Sequence, residues 1–126
     1  MILIFGGEHQ GKLDYALDRF GITPDHVYLC NETDTDMPKG KRVIYKIDRW
    51  ILALLRADKD VAENIAPFTQ SNCNAIIICN DISCGIVPID PTMRAWREAV
   101  GKSIGLLAQH SDEIIRLFCG IPTRLK

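Results

Sequence analysis

The sequence predicts one α/β domain over residues 1–126, with a mainly parallel sheet and helices on both of its faces. Apolar segments of strand length alternate along the chain with segments of helical periodicity, and the connections between them are short. The composition agrees with this class, because 47% hydrophobic and 25% charged residues are ordinary values for a globular protein. A chain of 126 residues is also long enough to bury one substantial core.

The first third of the chain predicts two strands joined by a helix. Residues 1–5, MILIF, form an unbroken apolar run, which is typical of a strand covered on both faces. The next segment places its apolar residues on one helical face and has Gly21 where the helix should stop. Residues 26–30, HVYLC, are the second candidate strand. Residues 31–41 are polar and contain proline and glycine, which predicts a loop.

The middle of the chain predicts a strand followed by two helices. Residues 42–45, RVIY, have the composition of a strand. Asp48 is the predicted N-cap of a helix that reaches about residue 57. A weaker helix follows, and Pro67 should end it, because proline inside a helix removes a hydrogen bond.

The last third predicts a strand, a long loop, a helix and a final strand. Residues 74–79, NAIIIC, are the most strand-like run in the sequence, and a turn-rich stretch follows them. Asp90 and Pro91 suit the N-cap and first turn of a helix that reaches about residue 110. Residues 113–119 are the last predicted strand, and the remaining residues are expected to form a short tail.

Charge and cysteine usage limit the classes of partner. The net charge of -1 and the isoelectric point of about 6.3 provide no overall attraction to polyanions, so we expect no nucleic-acid partner. The five cysteines are odd in number and include no C-x-x-C pair, which is typical of reduced thiols. No apolar stretch approaches the roughly 20 residues of a membrane span, and no signal-peptide pattern is visible. We therefore expect a cytoplasmic protein without a membrane partner.

The first predicted strand is followed by GGEHQGK, which has the Gly-x-x-x-x-Gly-Lys spacing of a phosphate-binding loop. The glycines allow the backbone N–H groups to converge on phosphate oxygens, and the start of the next helix adds its free N–H groups. The lysine ammonium would reach the terminal phosphates. The predicted nucleotide-binding residues are therefore Gly6, Gly7, Glu8, His9, Gln10, Gly11, Lys12 and Leu13. The alternative is a glycine-rich turn with a solvent-exposed lysine.

Leu13 departs from the usual pattern of such a loop. A serine or threonine at this position supplies a hydroxyl ligand to Mg²⁺, and Mg²⁺ neutralises charge that develops during phosphoryl transfer. Leucine has no oxygen to offer. Asp14 is adjacent, but one helical residue corresponds to a rotation of about 100°, so its carboxylate should point away from the phosphates. Nucleotide binding can survive this change, whereas catalysis should be impaired.

Asp81 and His9 can each be interpreted as a functional or as a structural residue. Asp81 follows the strand at 74–79, and the carboxyl ends of parallel strands form the ligand crevice, so it is the candidate metal ligand. It could equally form an Asx turn with Asn80 before it. His9 could contact a phosphate or a base, although a surface histidine is the simpler interpretation.

The two ends of the sequence resemble one enzyme family. The opening MILIFGGEHQGK and the block from AIIICN to the C-terminus are similar to the adenosylcobinamide kinase and adenosylcobinamide-phosphate guanylyltransferase family of cobalamin biosynthesis. The family combines a GG-x-x-x-GKS loop with an Asn-Glu-Val-Gly-x-Gly-Ile-Val-Pro loop. The matching positions of the second block are Asn80, Asp81, Gly85, Ile86, Val87, Pro88, Arg97, Glu98, Gly101, Asp112, Glu113 and Gly120.

The resemblance implies a P-loop NTPase-like (RecA-like) three-layer fold that binds GTP or ATP. Members of the family phosphorylate the aminopropanol arm of a corrinoid and then attach GMP, so a corrinoid is an implied partner. They also form oligomers with nucleotide sites near subunit contacts, so a homo-oligomer, such as a trimer, is implied.

The departures from the family concern functional positions. Leu13 replaces the loop serine, Asp81 replaces the glutamate of the Asn-Glu pair, and Ile104 and Gly105 replace an Asn-Gln pair. Family members are longer, and their middle carries the histidine that accepts the guanylyl group and a second strand ending in an acidic residue. Residues 31–73 contain no histidine, so guanylyl transfer by that route has no visible nucleophile.

Two hypotheses remain from the sequence. In the first, the protein binds a purine nucleotide and keeps kinase-type phosphoryl transfer, with Asp81 holding Mg²⁺. In the second, it is an inactive relative that acts as a binding, regulatory or partner protein. Leu13 and the altered middle favour the second hypothesis, and they make a role for Mg²⁺ doubtful.

Overall fold

A computed structural model describes residues 1–82 and 89–126, and within them six strands form one sheet. The strands are β1 (Ile2–Gly6), β2 (Val27–Leu29), β3 (Val43–Tyr45), β4 (Ile76–Asn80), β5 (Glu113–Phe118) and β6 (Ile121–Arg124). Their order across the sheet is β2-β3-β4-β1-β5-β6. The first five strands of this order are parallel, and β6 pairs antiparallel to β5. The prediction of a mainly parallel sheet is confirmed.

Four α-helices connect these strands in the described part of the chain, and a short 3₁₀ turn at Pro24–His26 precedes β2. The α-helices are α1 (Lys12–Phe20), α2 (Ile47–Arg56), α3 (Val61–Ser71) and α4 (Pro91–Gln109). Helix α1 covers one face of the sheet, and the other three cover the opposite face. This is the predicted three-layer α/β arrangement. None of the helices in residues 1–82 and 89–126 has the length and apolarity needed to cross a membrane.

The core consists of two layers because side chains alternate between the faces of a strand. Leu3 and Ile77 pack with the three-helix layer, whereas Ile4 and Ile78 pack under α1. All four side chains are fully buried. A sheet covered on both faces explains why strands β1 and β4 read as continuous apolar runs rather than as alternating ones.

Two predicted helix ends are confirmed by their backbone geometry. Gly21 follows α1 with φ 61°, in the left-handed region that favours glycine, and its N–H bonds the carbonyl of Leu17. The Asp90 carboxylate caps α4 by accepting a hydrogen bond from the N–H of Thr92 at 2.7 Å. Pro91 occupies the first turn, where no intrahelical N–H is needed.

Two local predictions are wrong. Pro67 does not end its helix but lies inside α3, which continues to Ser71 because Phe68 and Thr69 are buried beyond it. Burial of that last turn outweighs the hydrogen bond that the proline removes. The C-terminal residues are not a free tail either. They turn at Gly120, which has φ 74°, and form β6 against β5.

Candidate functional site

The carboxyl ends of the parallel strands β1, β3 and β4 meet at one edge of the sheet. Gly6, the last residue of β1, is in register with Asn80, the last residue of β4. The N–H of Asp81 extends this pairing with a 2.8 Å hydrogen bond to the carbonyl of Gly6. Because the chain leaves β1 towards β2 on one side and leaves β4 towards β5 on the other, a crevice opens where these connections diverge.

Gly6 is required here by the close approach of a neighbouring strand. A Cβ atom at this position would lie 2.3 Å from the carbonyl oxygen of Leu117 in β5. No side chain fits such a distance without displacing backbone. The absence of a side chain therefore lets β5 and the start of the glycine loop pack directly together.

The N-terminus of α1 faces the crevice without a side-chain cap. Its N-cap residue is Gly11, with φ 82°, and no side chain bonds the first turn. The first bond of the helix runs from the N–H of Tyr15 to the carbonyl of Gly11 at 3.0 Å. The N–H groups of residues 12–14 consequently have no partner within the helix, and together with the helix dipole they favour an anion.

Lys12 lies inside the loop rather than on the surface. The residue is 4% exposed, and its Nζ donates a 2.5 Å hydrogen bond to the carbonyl of Gly7. Burial lowers the pKa of the Lys12 ammonium, and the nearby Asp48 carboxylate opposes this shift. The alternative prediction of a solvent-exposed lysine is wrong. The ammonium is held beneath the loop by this hydrogen bond.

A cleft of about 360 Å³ opens over this loop. It is lined by residues 8–14 together with Tyr45, Lys46 and Asn80. Six of the eight predicted nucleotide-binding residues, Glu8 to Leu13, contribute to its wall, while Gly6 and Gly7 do not line it. Asp14, in the first turn of α1, is also among the lining residues.

Two polar side chains of the loop have different surroundings. His9 is exposed and has φ 59°, and it lines the cleft. The Gln10 side-chain oxygen accepts a hydrogen bond from the N–H of Cys119, at the turn between β5 and β6. Gln10 therefore ties the loop to the turn after β5, the strand beside β1, whereas His9 remains accessible to a ligand.

Lys46 belongs to the site, and the sequence analysis did not identify it. This residue joins β3 to α2 with φ 61°, and its side chain is only 16% exposed. Its Nζ lies 3.6 Å from the Glu8 carboxylate of the glycine loop and 5.4 Å from the centre of the Tyr45 ring. The only available signal was its place directly after a predicted strand, since the strand ends of a parallel sheet share one edge.

Asp48 is not the N-cap of α2, so that prediction is wrong. Lys46 occupies the cap position, and the Asp48 carboxylate turns inward, where the residue is 2% exposed. One of its oxygens accepts a 3.0 Å hydrogen bond from the backbone N–H of Asn80. Burial raises the pKa of Asp48, and the bond from Asn80 opposes that rise. The carboxylate links the first turn of α2 to the end of β4.

The cleft lacks the hydroxyl that a phosphate-binding loop usually offers to Mg²⁺, although Glu8, Asp14 and Asn80 are among its lining residues. Leu13 has no oxygen in its side chain, and β3 ends at Tyr45 and Lys46 instead of at an acidic residue. Among residues 1–82 and 89–126, no cluster of three or more histidine, cysteine, aspartate or glutamate side chains could hold a metal ion. Asp81 is half-buried beside the loop, so its assignment as a metal ligand stays a prediction.

A larger cleft of about 750 Å³ lies at the opposite edge of the sheet, around Ile22, Lys41 and Asn74. It contains neither the glycine loop nor any of the matching positions named for the second block. The part of that block at residues 83–88, which includes Cys84, Gly85, Ile86, Val87 and Pro88, lies outside the described residues. Size alone does not make the larger cleft the functional site, because the polar groups that converge on a ligand are at the other edge.

Comparison with protein families agrees with the second block of the resemblance. A family model described as "Cobinamide kinase / cobinamide phosphate guanyltransferase" matches residues 40–125, about two thirds of the chain. No curated protein sequence matches the chain. The family match does not reach the glycine loop, so the assignment of that loop depends on its own geometry. Because the match covers well over half of its residues, the chain belongs to the cobinamide kinase / cobinamide phosphate guanyltransferase family.

Proposed function

We propose that the protein binds the phosphates of a purine nucleoside triphosphate, GTP or ATP, in the cleft above residues 6–13. The observation that carries this proposal is the position of Lys12, which is buried beneath the loop beside the uncapped start of α1. A glycine loop between a strand and a helix combines backbone N–H groups, a helix dipole and a lysine ammonium around one anion. The guanyltransferase description of the family supports a guanine nucleotide as one ligand.

Thermal unfolding in the presence of nucleotide tests the proposal. At a hundredfold excess over Kd, a ligand of the folded state adds about 2.7 kcal/mol to the free energy of unfolding. For a chain of this length that is a rise in Tm of roughly 10 °C. GTP and ATP should each be compared with guanosine and adenosine, because a phosphate site predicts little stabilisation by the nucleosides.

Lys12→Ala should remove most of the stabilisation by nucleotide. Lys102→Ala is the matched control, since Lys102 pairs with Glu98 on the exposed surface of α4 and should respond to nucleotide as the wild type does. If Lys12→Ala binds GTP and ATP with unchanged affinity, the loop is not the phosphate site.

Kinase-type phosphoryl transfer to a corrinoid is the second candidate function, and the family description supports it. Asp81 would be the carboxylate for Mg²⁺, since its backbone is joined to Gly6 at the base of the loop. Incubation with adenosylcobinamide and labelled ATP or GTP should then yield a phosphorylated corrinoid, and Asp81→Asn should abolish this product. Nucleotide binding without any product would support the alternative, an inactive relative that acts as a binding, regulatory or partner protein.

We also propose a homo-oligomer, with a trimer as the specific expectation from the family resemblance. The exposed apolar residues Phe118, Ile121 and Leu125 lie on or next to β5 and β6, at the edge of the sheet. Such an edge is suited to contact with another copy of the chain. Light scattering of the purified protein measures the mass directly, and a monomer at all concentrations would contradict this proposal.

A further inference from the structure

A second lysine, Lys46, lines the cleft above the glycine loop together with Lys12. Lys46 reaches across from the β3–α2 junction to within 3.6 Å of the Glu8 carboxylate. Its side chain is largely buried against the Tyr45 ring, which limits the positions available to the ammonium. The cleft therefore has Lys12 below the loop and Lys46 on the facing wall.

The same cleft lacks the hydroxyl that usually holds a divalent cation, and one of its two carboxylates, Glu8, pairs with Lys46. Leu13 replaces the hydroxyl, and Tyr45 and Lys46 stand at the end of β3. A fixed ammonium at this wall would also repel a divalent cation placed beside it. The site thus lacks the usual hydroxyl ligand of Mg²⁺ and has the ammonium of Lys46 beside its Glu8 carboxylate.

We propose that Lys46 neutralises the phosphates of the bound nucleotide in place of Mg²⁺, so that the protein binds a nucleoside triphosphate without a divalent cation. This inference rests on the proposed nucleotide site. In the free protein, Glu8 pairs with the Lys46 ammonium, and a phosphate oxygen would replace that carboxylate on binding. Lysine acts as a compact point charge for phosphate, and it needs no fixed geometry beyond proximity.

The test measures binding of GTP and of inorganic tripolyphosphate by calorimetry, once with Mg²⁺ and once with EDTA. For the wild-type protein we expect affinities in the two conditions to agree within about threefold, which is less than 1 kcal/mol. Lys46→Asn should weaken binding in EDTA at least tenfold, or about 1.4 kcal/mol. Asparagine is the chosen replacement because it tolerates the positive φ of residue 46.

Two further variants separate charge from structure. Lys46→Arg should bind GTP in EDTA within a fewfold of the wild type, because it restores the positive charge. Glu8→Gln should bind more tightly than the wild type, because it removes the carboxylate that competes with phosphate for Lys46. Lys102→Ala again serves as the control for loss of a lysine elsewhere.

The outcomes distinguish this inference from the function on which it rests. The inference is wrong if EDTA abolishes binding to the wild type, or if Lys46→Asn binds in EDTA as tightly as the wild type. Neither result contradicts the proposed nucleotide site itself. A gain on adding Mg²⁺ that disappears in Asp81→Asn would show that Asp81 holds the cation, and the inference would be wrong. Failure of GTP and tripolyphosphate to bind in either condition would overturn both.

Discussion

The carboxylate of Asp48 accepts a hydrogen bond from the backbone N–H of Asn80 at 3.0 Å, across 32 positions of sequence. This contact joins the start of α2 to the end of β4 near the cleft above the glycine loop. Helix α4 is attached to the same point, because the indole N–H of Trp96 donates to the carbonyl of Asp48 at 2.7 Å. The elements that bear Lys46 and Asn80 are therefore fixed to one another by a buried aspartate.

Replacement of Asp48 should destabilise the fold. Asp48→Ala leaves the buried N–H of Asn80 without its acceptor, and we expect a loss of about 2 kcal/mol in the free energy of unfolding. Asp48→Asn is the matched control because it keeps an acceptor oxygen of similar size, so it should lose less. Urea denaturation measures both, and equal losses for the two variants would show that the hydrogen bond is not the cause.

Asp48 should also make stability depend on pH. Burial raises its folded-state pKa above the ordinary value of 3.8, so the folded chain holds this proton more tightly than the unfolded chain does. The contribution of Asp48 to the free energy of unfolding is therefore most favourable at low pH, and it is lost as the pH rises through the folded-state pKa. Relative to Asp48→Asn, the wild type should become less stable between about pH 4 and pH 7. Urea denaturation of both proteins across this range checks the sign, and a relative gain of stability by the wild type would contradict it.

Gly6→Ala should destabilise the protein by about 2 kcal/mol, because overpacking against a rigid neighbour typically costs 1–3 kcal/mol. The added Cβ would meet the Leu117 carbonyl oxygen at 2.3 Å. Gly105→Ala in α4 is the control, since nothing lies within 4 Å of its Cβ position and alanine favours a helix. Calorimetric unfolding should show a fall in Tm for the first variant and none for the second. An unchanged Tm for Gly6→Ala would mean that β5 does not approach the loop so closely.

The cysteines should separate into two classes of reactivity. Cys30 and Cys79 are buried, and burial raises the pKa of both thiols, that of Cys30 to about 12. Cys73 and Cys119 are exposed. A thiol reagent followed by peptide mass spectrometry should label the exposed pair in the native protein and the buried pair only after unfolding. Rapid labelling of Cys79 in the native state would contradict the burial of β4.

The order of strands and helices could be predicted from the sequence because each element carries its own periodic pattern. The runs at residues 1–5 and 74–79 are apolar throughout, and that pattern is typical of a strand with helices on both faces. The caps at Gly21 and Asp90 depend on local backbone chemistry, so they too could be predicted. Pro67 shows the limit of local rules, because burial of the following turn keeps its helix intact.

The glycine loop and Lys12 could be predicted from the sequence alone, since their spacing encodes a strand, a turn and a helix in direct succession. The sequence could not assign Lys46 and Asp48, which lie more than 30 residues beyond the loop. Whether a side chain after a strand points into the crevice or into the core depends on how the next helix leaves the sheet. Only the tertiary structure decided that Lys46 lines the cleft above the glycine loop and that Asp48 faces the interior, because packing of α2 against β4 sets both directions at once.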